Sequence, residues 1–293
     1  MRRQLRCLLT STLPGSSLAD GGHQPRYVRH QTQVRLCHLS NTGNRQEWLV
    51  TSGAANTRNL ILMRLDQDEY ARLRPELHYV TLSFKQAVHE QGKAIEYAWF
   101  PESGVISLVK QLDDGNAIET GTVGNEGMVG LSAVFGVNRA SSRAFCQVPG
   151  RALRLSAEVV LAERRRGGQF AELLLRYANA TMAMLAQGLA CNRAHSLEER
   201  MCRWLLMTHD RVDADSFPLT QEFLAQMLGV RRPTVNLAGT SLQRAGLIRY
   251  SRGRITIVDR KGLEETSCEC YAHMRDEITR SLGKHSRERK SKR

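Results

Sequence analysis

Several features are scarce in this chain of 293 residues, and each scarcity excludes something. No stretch approaches the roughly 20 consecutive apolar residues that a membrane-spanning helix needs, so no membrane partner is expected. The seven cysteines, Cys7, Cys37, Cys146, Cys191, Cys202, Cys268 and Cys270, are odd in number and scattered. That pattern fits reduced thiols in a cytoplasm rather than a disulfide framework, and no spacing among them makes a four-ligand zinc site. No P-loop or HExxH segment occurs, and no nucleophile stands with a base in a recognisable arrangement. The carboxylates are scattered along helix faces. An enzyme is therefore not expected, and the residues call for no metal and no other cofactor.

Positive charge, in contrast, is plentiful. The 42 Lys and Arg exceed the 29 Asp and Glu for a net charge of +13. A balance that basic suits nucleic acid or an anionic surface. Much of the excess sits at the ends: +5 lies in residues 1–57 and +5 in residues 275–293, leaving +3 for the middle. Charge alone does not establish DNA binding; the arrangement of the residues has to. Residues 1–57 are rich in Arg, Ser, Thr, Gly and Gln with little periodicity. A disordered arm, a targeting peptide and an upstream start codon chosen in error all fit that composition.

The middle of the chain changes period twice. Asn59 to Leu77 has helical spacing. Tyr79–Phe84, Ala94–Phe100, Val105–Leu112, Ala117–Val123, Ala144–Val148 and Ala152–Leu155 then alternate as short strands. Pro101-Glu-Ser-Gly104, Asp113-Asp-Gly115, Gly124-Asn-Glu-Gly127 and Pro149-Gly150 punctuate them as turns or breaks, which points to a sandwich, jelly roll or barrel. From Ala157 the period becomes helical. Glu158–Arg165 precedes the Gly167-Gly168 interruption, and Gln169 to about Arg193 is one long helix. Phe170, Leu174, Tyr177, Thr181, Met184, Gly188 and Cys191 follow a 4-3-4-3-4-3 spacing along it. That row suits a seam for a partner helix, with packing inside its own domain as the competing expectation. Ser196 caps a further helix, Leu197–Thr208, and Asp210–Pro218 reads as a polar connector.

The stretch from Leu219 to Asp259 is the most specific. Thr220 is placed to cap a helix whose apolar face is Phe223, Leu224, Met227 and Leu228, and Gly229 is placed to end it. A second helix begins around Arg231–Thr234, with Pro233 tolerated in its first turn and Val235, Leu242 and Leu247 on its apolar side. Ile248–Val258 then alternates around a hairpin tip at Arg252-Gly253. Helix, turn, basic helix and basic hairpin make the outline of a winged helix-turn-helix.

The whole order resembles the Crp/Fnr superfamily of bacterial transcription regulators over about residues 59–282. SLEERMCRWLL at Ser196–Leu206, LTQEFLAQMLGVRRPTV and LQRAGLIRYSRGRITIVD carry the resemblance most strongly. Phe100–Gly104 and Gly124–Gly130 look like one branch of that family. The resemblance implies an α+β chain: an antiparallel, jelly-roll-like β-roll over residues 58–168, a dimerisation helix over 169–194 and a winged helix-turn-helix over 195–270. A helix and a basic tail would follow over 271–293. It also implies that Arg231, Arg232, Thr234 and Asn236 enter the major groove of double-stranded DNA, where an Arg can chelate a guanine. Arg232 matches the family's base-reading Arg. Pro233 and Leu237 depart from the family pattern, so the operator should differ too. Thr220 and Gln221 are expected at phosphates, with Arg244, Arg252 and Arg254 as further phosphate contacts. A homodimer on an inverted repeat follows, with RNA polymerase and a small-molecule effector as candidate partners.

In cyclic-nucleotide-binding relatives, a Gly-Glu pair and an Arg followed by small residues hold the phosphate and ribose. Here Gly130 matches the Gly, Leu131 replaces the Glu, and Arg139 matches only with a one-residue shift, followed by Ala140 and Ser141. Losing the Glu removes the acceptor for a buried hydroxyl, so cyclic AMP is not the expected ligand. Cys7 and Cys37 lie too far apart for an iron–sulfur set, and His78 and His89 are lone histidines rather than haem ligands. Cys268-Glu-Cys270 leaves open a thiol switch, a metal pair or simply two packed reduced thiols, since two thiols leave a metal site half empty. Two functions of other classes stay open: an interaction module that docks through the winged helix, and a thiol redox sensor.

Overall fold

The computed structural model describes residues 57–283 apart from Asn116. The expectations for residues 1–56 and for the basic tail beyond Gly283 lie outside the described residues. Two short helices, α1 (Leu60–Met63) and α2 (Gln67–Leu73), begin at the side-chain caps Asn59 and Asp66. A 3-10 turn over Arg74–Glu76 leads into the sheet. Its strands are β1 (His78–Leu82), β2 (Ala87–His89), β3 (Tyr97–Gln111), β4 (Ala117–Val123) and β5 (Arg143–Ser156). They pair antiparallel in the order β1-β5-β3-β4, with β2 also on β5.

The expected antiparallel roll therefore forms, but from longer strands. Pro101–Gly104, which reads as a turn, is a bulged stretch inside β3, and Pro149-Gly150, which reads as a break, lies inside β5. The two irregularities face each other, with Ser103 opposite Arg151 and Val105 opposite Val148. A Cβ on Gly104 would stand 2.5 Å from the Val148 carbonyl oxygen, and one on Gly150 only 2.0 Å from the Ser103 carbonyl oxygen. Bare backbone at both positions is what lets two bulged strands stay paired.

Ser156 caps α3 (Ala157–Arg166), and Gly167 and Gly168, both at positive φ, separate it from α4 (Gln169–Ala194). A capping box between Ser196 and Glu199 starts α5 (Leu197–His209). Then come β6 (Ser216–Pro218), α6 (Gln221–Leu228), α7 (Arg232–Arg244), β7 (Ile248–Ser251), β8 (Arg254–Ile257), α8 (Arg260–Thr266) and α9 (Cys270–Leu282). The second sheet has the order β6-β8-β7. Its β6 arises inside the segment that reads as a polar connector, because Phe217, 2 % exposed, is buried opposite Ile255.

The seam expected on α4 is filled by the chain itself. Phe170, Leu174 and Tyr177 are buried with Phe100, Leu155 and Ile61 in the roll's core, and the Phe100 and Phe170 rings lie 6.2 Å apart. Farther along the same row, Gly188 faces Met274 of α9. The apolar side chains that α4 leaves in solvent form another row: Leu175, Met182, Leu185 and Leu189, the last 74 % exposed. Their 7-3-4 spacing follows one helix face. Heptad spacing marks an apolar row without saying whose surface covers it.

Candidate nucleic-acid interface

The helix-turn-helix forms from the residues that predict it. The Thr220 hydroxyl accepts the Phe223 N–H at 3.1 Å, and Gly229 takes the left-handed conformation that ends α6. Arg231 stands at the N-cap of α7 with extended backbone, and Pro233 occupies the first turn. Val235, Ala238 and Leu242 bury the inner face of α7. Arg252 and Gly253 both have positive φ at the hairpin tip, the pairing that a tight β-hairpin requires. The wing holds the start of α6 in place: the Tyr250 hydroxyl donates to the Leu219 carbonyl at 2.7 Å, and the Leu219 N–H donates to the Gly253 carbonyl at 2.8 Å.

With the inner face buried, Arg231, Arg232, Thr234, Asn236, Leu237 and Arg244 are exposed. Arg252 and Arg254 are exposed on the wing. Among the described residues, no carboxylate pairs with Arg231, Arg232, Arg244, Arg252 or Arg254. Arg254 donates to the Ser216 carbonyl at 3.1 Å, so it braces β6 as well. Gln221 Nε2 donates to Asn236 Oδ1 at 2.9 Å, which links the starts of the two helices. The first turn of α7 has no side-chain cap; Pro233 carries no N–H and the Thr234 N–H donates to the Arg231 carbonyl at 3.0 Å, so the positive end of the helix is dressed mainly by two guanidinium groups. Such an end attracts anions by its two guanidinium charges and its dipole.

What holds this face in place is the roll. Phe223 of α6 meets Phe84 and Phe145 with ring centroids 6.4 and 6.0 Å apart, contacts worth about 0.5–1.5 kcal/mol each beyond the area they bury. Arg211, just past α5, donates from Nε and Nη2 to both carboxylate oxygens of Glu126, at 3.1 and 2.7 Å, and from Nη1 to Thr122. A Cβ on Gly124 would stand 2.5 Å from Arg211 Cγ, and one on Gly127 would stand 2.2 Å from the Tyr177 hydroxyl. The Gly124–Gly130 motif thus serves packing: its glycines admit Arg211 and Tyr177, and its Glu takes the guanidinium. Trp204 Nε1 donates to Glu119 Oε1 at 2.7 Å. Glu119 is partly exposed, but its carboxyl is enclosed and Oε2 has no hydrogen-bond partner among the described residues. Burial pushes this carboxyl up to about 7, against the opposing pull of Trp204, Arg203 and Arg211. Arg260 donates to His209 Nδ1 at 2.9 Å, so Nδ1 accepts and the opposite nitrogen donates to Asp215 at 2.8 Å. The segment after α5 is therefore tied down on both sides.

The residues expected to line a ligand pocket take varied places in the roll. Gly130 lies buried against the Tyr97 and Ala98 backbone. Leu131 begins a 3-10 turn. Arg139 is exposed and donates to the Gly92 carbonyl at 3.1 Å, while the Ser141 carbonyl accepts from Lys110. A cleft of about 440 Å³ opens nearby between Ile95, Tyr97, Val137, Asn138, Ala157 and Leu161. None of the four expected residues lines it. Cys268 lies 3.5 Å from Cys191 Sγ, and Cys270 stands by His195 and Gln187. From the sequence Cys191 is read only as a member of the long helix's apolar row, and His195 is not singled out. Their i, i+4 spacing at the end of the long helix was the available signal.

Comparison with known proteins gives the fold a place. Residues 80–166 match the cyclic nucleotide-binding domain, and residues 199–266 match the Crp-like helix-turn-helix domain. No curated protein matches the chain. Among solved structures, FixK2 from Bradyrhizobium japonicum is 15 % identical with a TM-score of 0.57; the match covers 66 % of this chain and 98 % of that one. TTHB099, a transcriptional regulator of the CRP family from Thermus thermophilus, is 19 % identical with a TM-score of 0.55, over 64 % and 96 % of the two chains. A regulator of the Crp/Fnr family from Eubacterium rectale is 20 % identical with a TM-score of 0.53, over 69 % and 94 %. At these identities the likeness to solved structures is one of fold. The two matched domains together span more than half of the chain, in the order roll then helix-turn-helix.

Proposed function

The chain belongs to the Crp/Fnr-type DNA-binding transcription regulators, and from that premise we propose which residues read its operator and how two copies meet on it. The observation that carries the reading is the exposed N-terminal end of α7. Arg231 and Arg232 stand there, exposed and without carboxylate partners among the described residues, beside Thr234 and Asn236. Arg232, and Arg231 beside it, read base edges in the major groove; Thr234 and Asn236 complete that contact. Leu237, 73 % exposed, offers an apolar surface to a thymine methyl in place of a donor. Thr220, Gln221, Arg244, Arg252 and Arg254 serve the phosphates.

Two copies meet through the exposed α4 row of Leu175, Met182, Leu185 and Leu189 and bind an inverted repeat with half-sites about one helical turn apart. The site is that of a cytoplasmic regulator that carries out no catalysis and meets RNA polymerase once on DNA. Among the described residues, no helix is long and apolar enough to cross a membrane. The cleft of about 440 Å³ beside Val137 and Leu161 is where a small effector would enter.

The test begins with sequences selected from a random DNA pool by the purified chain. The double variant Arg231→Ala/Arg232→Ala should lose about 10²-fold or more in affinity for the selected site while it sediments as a dimer. Leu189→Glu should sediment as a monomer. Unchanged binding of the selected site by the arginine double variant would remove the assignment of the reading residues.

A further inference from the structure

Four metal-ligating side chains that are far apart in sequence converge where the long helix ends. Cys191 lies on the last turns of α4 and His195 is its C-cap. Cys268 sits between α8 and α9, and Cys270 is the first residue of α9. One donor atom from each of Cys191, His195, Cys268 and Cys270 lies within 4.8 Å of all the others. The three cysteines are buried and none is in a disulfide. We propose that these four side chains form a mononuclear Cys3His site for a zinc-class divalent cation.

The geometry fits a single ion. At Zn–S distances of about 2.3 Å, tetrahedral thiolates stand about 3.8 Å apart. Cys191 Sγ and Cys268 Sγ are 3.5 Å apart, and Cys270 Sγ is 3.7 Å from His195 Nδ1. Iron–sulfur clusters spread their thiolates over several irons, wider than these donors stand. Four protein donors also leave no position open for substrate, which makes the site structural rather than catalytic.

The surroundings fit as well. His195 turns Nδ1 toward the thiols and Nε2 toward Glu269 Oε2, 3.1 Å away. A carboxylate on the far nitrogen is the usual brace of a metal-bound imidazole. Gln187 Nε2 donates to Cys270 Sγ at 3.0 Å, a contact suited to a thiolate. The Arg203 charge acts on Cys191, its guanidinium donates to the sulfurs of Met207 and Met274, and its Nε has no partner among the described residues. Three thiolates, a neutral imidazole and a dication carry a net charge of −1, which that cation offsets. Binding releases the three thiol protons to solvent and changes no oxidation state.

The four residues join the end of the long helix to the segment that follows the wing. The ion therefore clamps α9, and with it the exit of the winged helix, onto α4. The connection between sensor and reader is then fixed at two points, the α4–α5 turn and this clamp.

Full-length protein, reduced and freed of metal with a chelator, is titrated with Co²⁺ and then Zn²⁺. One equivalent of Co²⁺ per chain should produce thiolate-to-cobalt charge-transfer absorption and the intense visible bands of a tetrahedral ion, and Zn²⁺ should bleach both. Cys268→Ser should abolish the charge-transfer signal, and Cys146→Ser, in β5 of the roll, should leave it intact. The exposed Glu269→Gln change should weaken binding about 10- to 100-fold with the circular dichroism spectrum unchanged. Failure of the wild-type chain to take up Co²⁺ or Zn²⁺ under reducing conditions would overturn the site. A full signal in both Cys268→Ser and His195→Ala would overturn it too, as would iron with acid-labile sulfide in its place. None of these readings uses DNA, so they stand apart from the operator assignment.

Discussion

Arg211 and Arg232 show how differently one side chain is used in two regions of this molecule. At the junction between roll and winged helix, Arg211 is 7 % exposed and forks onto both oxygens of Glu126, itself 12 % exposed. On the recognition helix, Arg232 is exposed and meets no carboxylate among the described residues. The first is enclosed, so its charge must be answered inside the chain. The second is solvated, so its charge is free to be answered by DNA. Neither position can do the other's work: a guanidinium needs a carboxylate to be buried and needs its absence to read a base.

Four substitutions sharpen that contrast, beginning with the largest effect. Arg211→Met removes one partner of a buried pair and leaves Glu126 enclosed without a cation. The loss should be about 3–5 kcal/mol, which lowers Tm by on the order of 10 °C in thermal unfolding. Arg232→Ala, on the exposed side of the comparison, should leave Tm nearly unchanged, because surface substitutions usually stay within about 0.5 kcal/mol.

The next effect depends on pH. Burial raises the folded-state pKa of Glu119 from the usual 4.5 to about 7. The folded chain thus holds this proton more tightly than the unfolded chain does. The contribution is fully present below pH 4.5, is lost as pH rises toward 7, and stays lost above it. Glu119→Gln keeps an acceptor for Trp204 and never ionises. Its Tm should exceed that of the wild type by a margin that widens between pH 5 and pH 8. A margin independent of pH would show that Glu119 is solvated in the folded chain.

The smallest effect lies at the wing tip. Arg252→Ala should weaken binding evenly across DNA sequences and lower the slope of log affinity against log salt by about 1. A change in base preference would make Arg252 a base reader instead of a phosphate contact.

Much of the reader was legible because its signals are local. Thr220 and Gly229 bound α6 by capping chemistry, Pro233 suits only a first turn, and Arg252-Gly253 suits only a hairpin tip. The β-roll was legible as strands but not in their continuity. Pro101–Gly104 and Pro149-Gly150 carry the local signature of a break, and only their cross-strand pairing makes them matched bulges. The pocket residues were extrapolated from a nucleotide-binding pattern whose Glu is missing. In the fold, Arg139 donates to the Gly92 carbonyl and the Ser141 carbonyl accepts from Lys110.

The same division runs through the long helix. Its sequence determined that apolar rows exist, since a period of 3.6 aligns side chains whatever lies opposite. The tertiary fold decided which surface covers each row: the roll and α9 take Phe170, Leu174, Tyr177 and Gly188, and Leu175, Met182, Leu185 and Leu189 stay in solvent. It also decided the fate of the cysteines. Sequence spacing reports only neighbours along the chain, and Cys191 and Cys268 come within 3.5 Å across 77 positions because α9 folds back along α4.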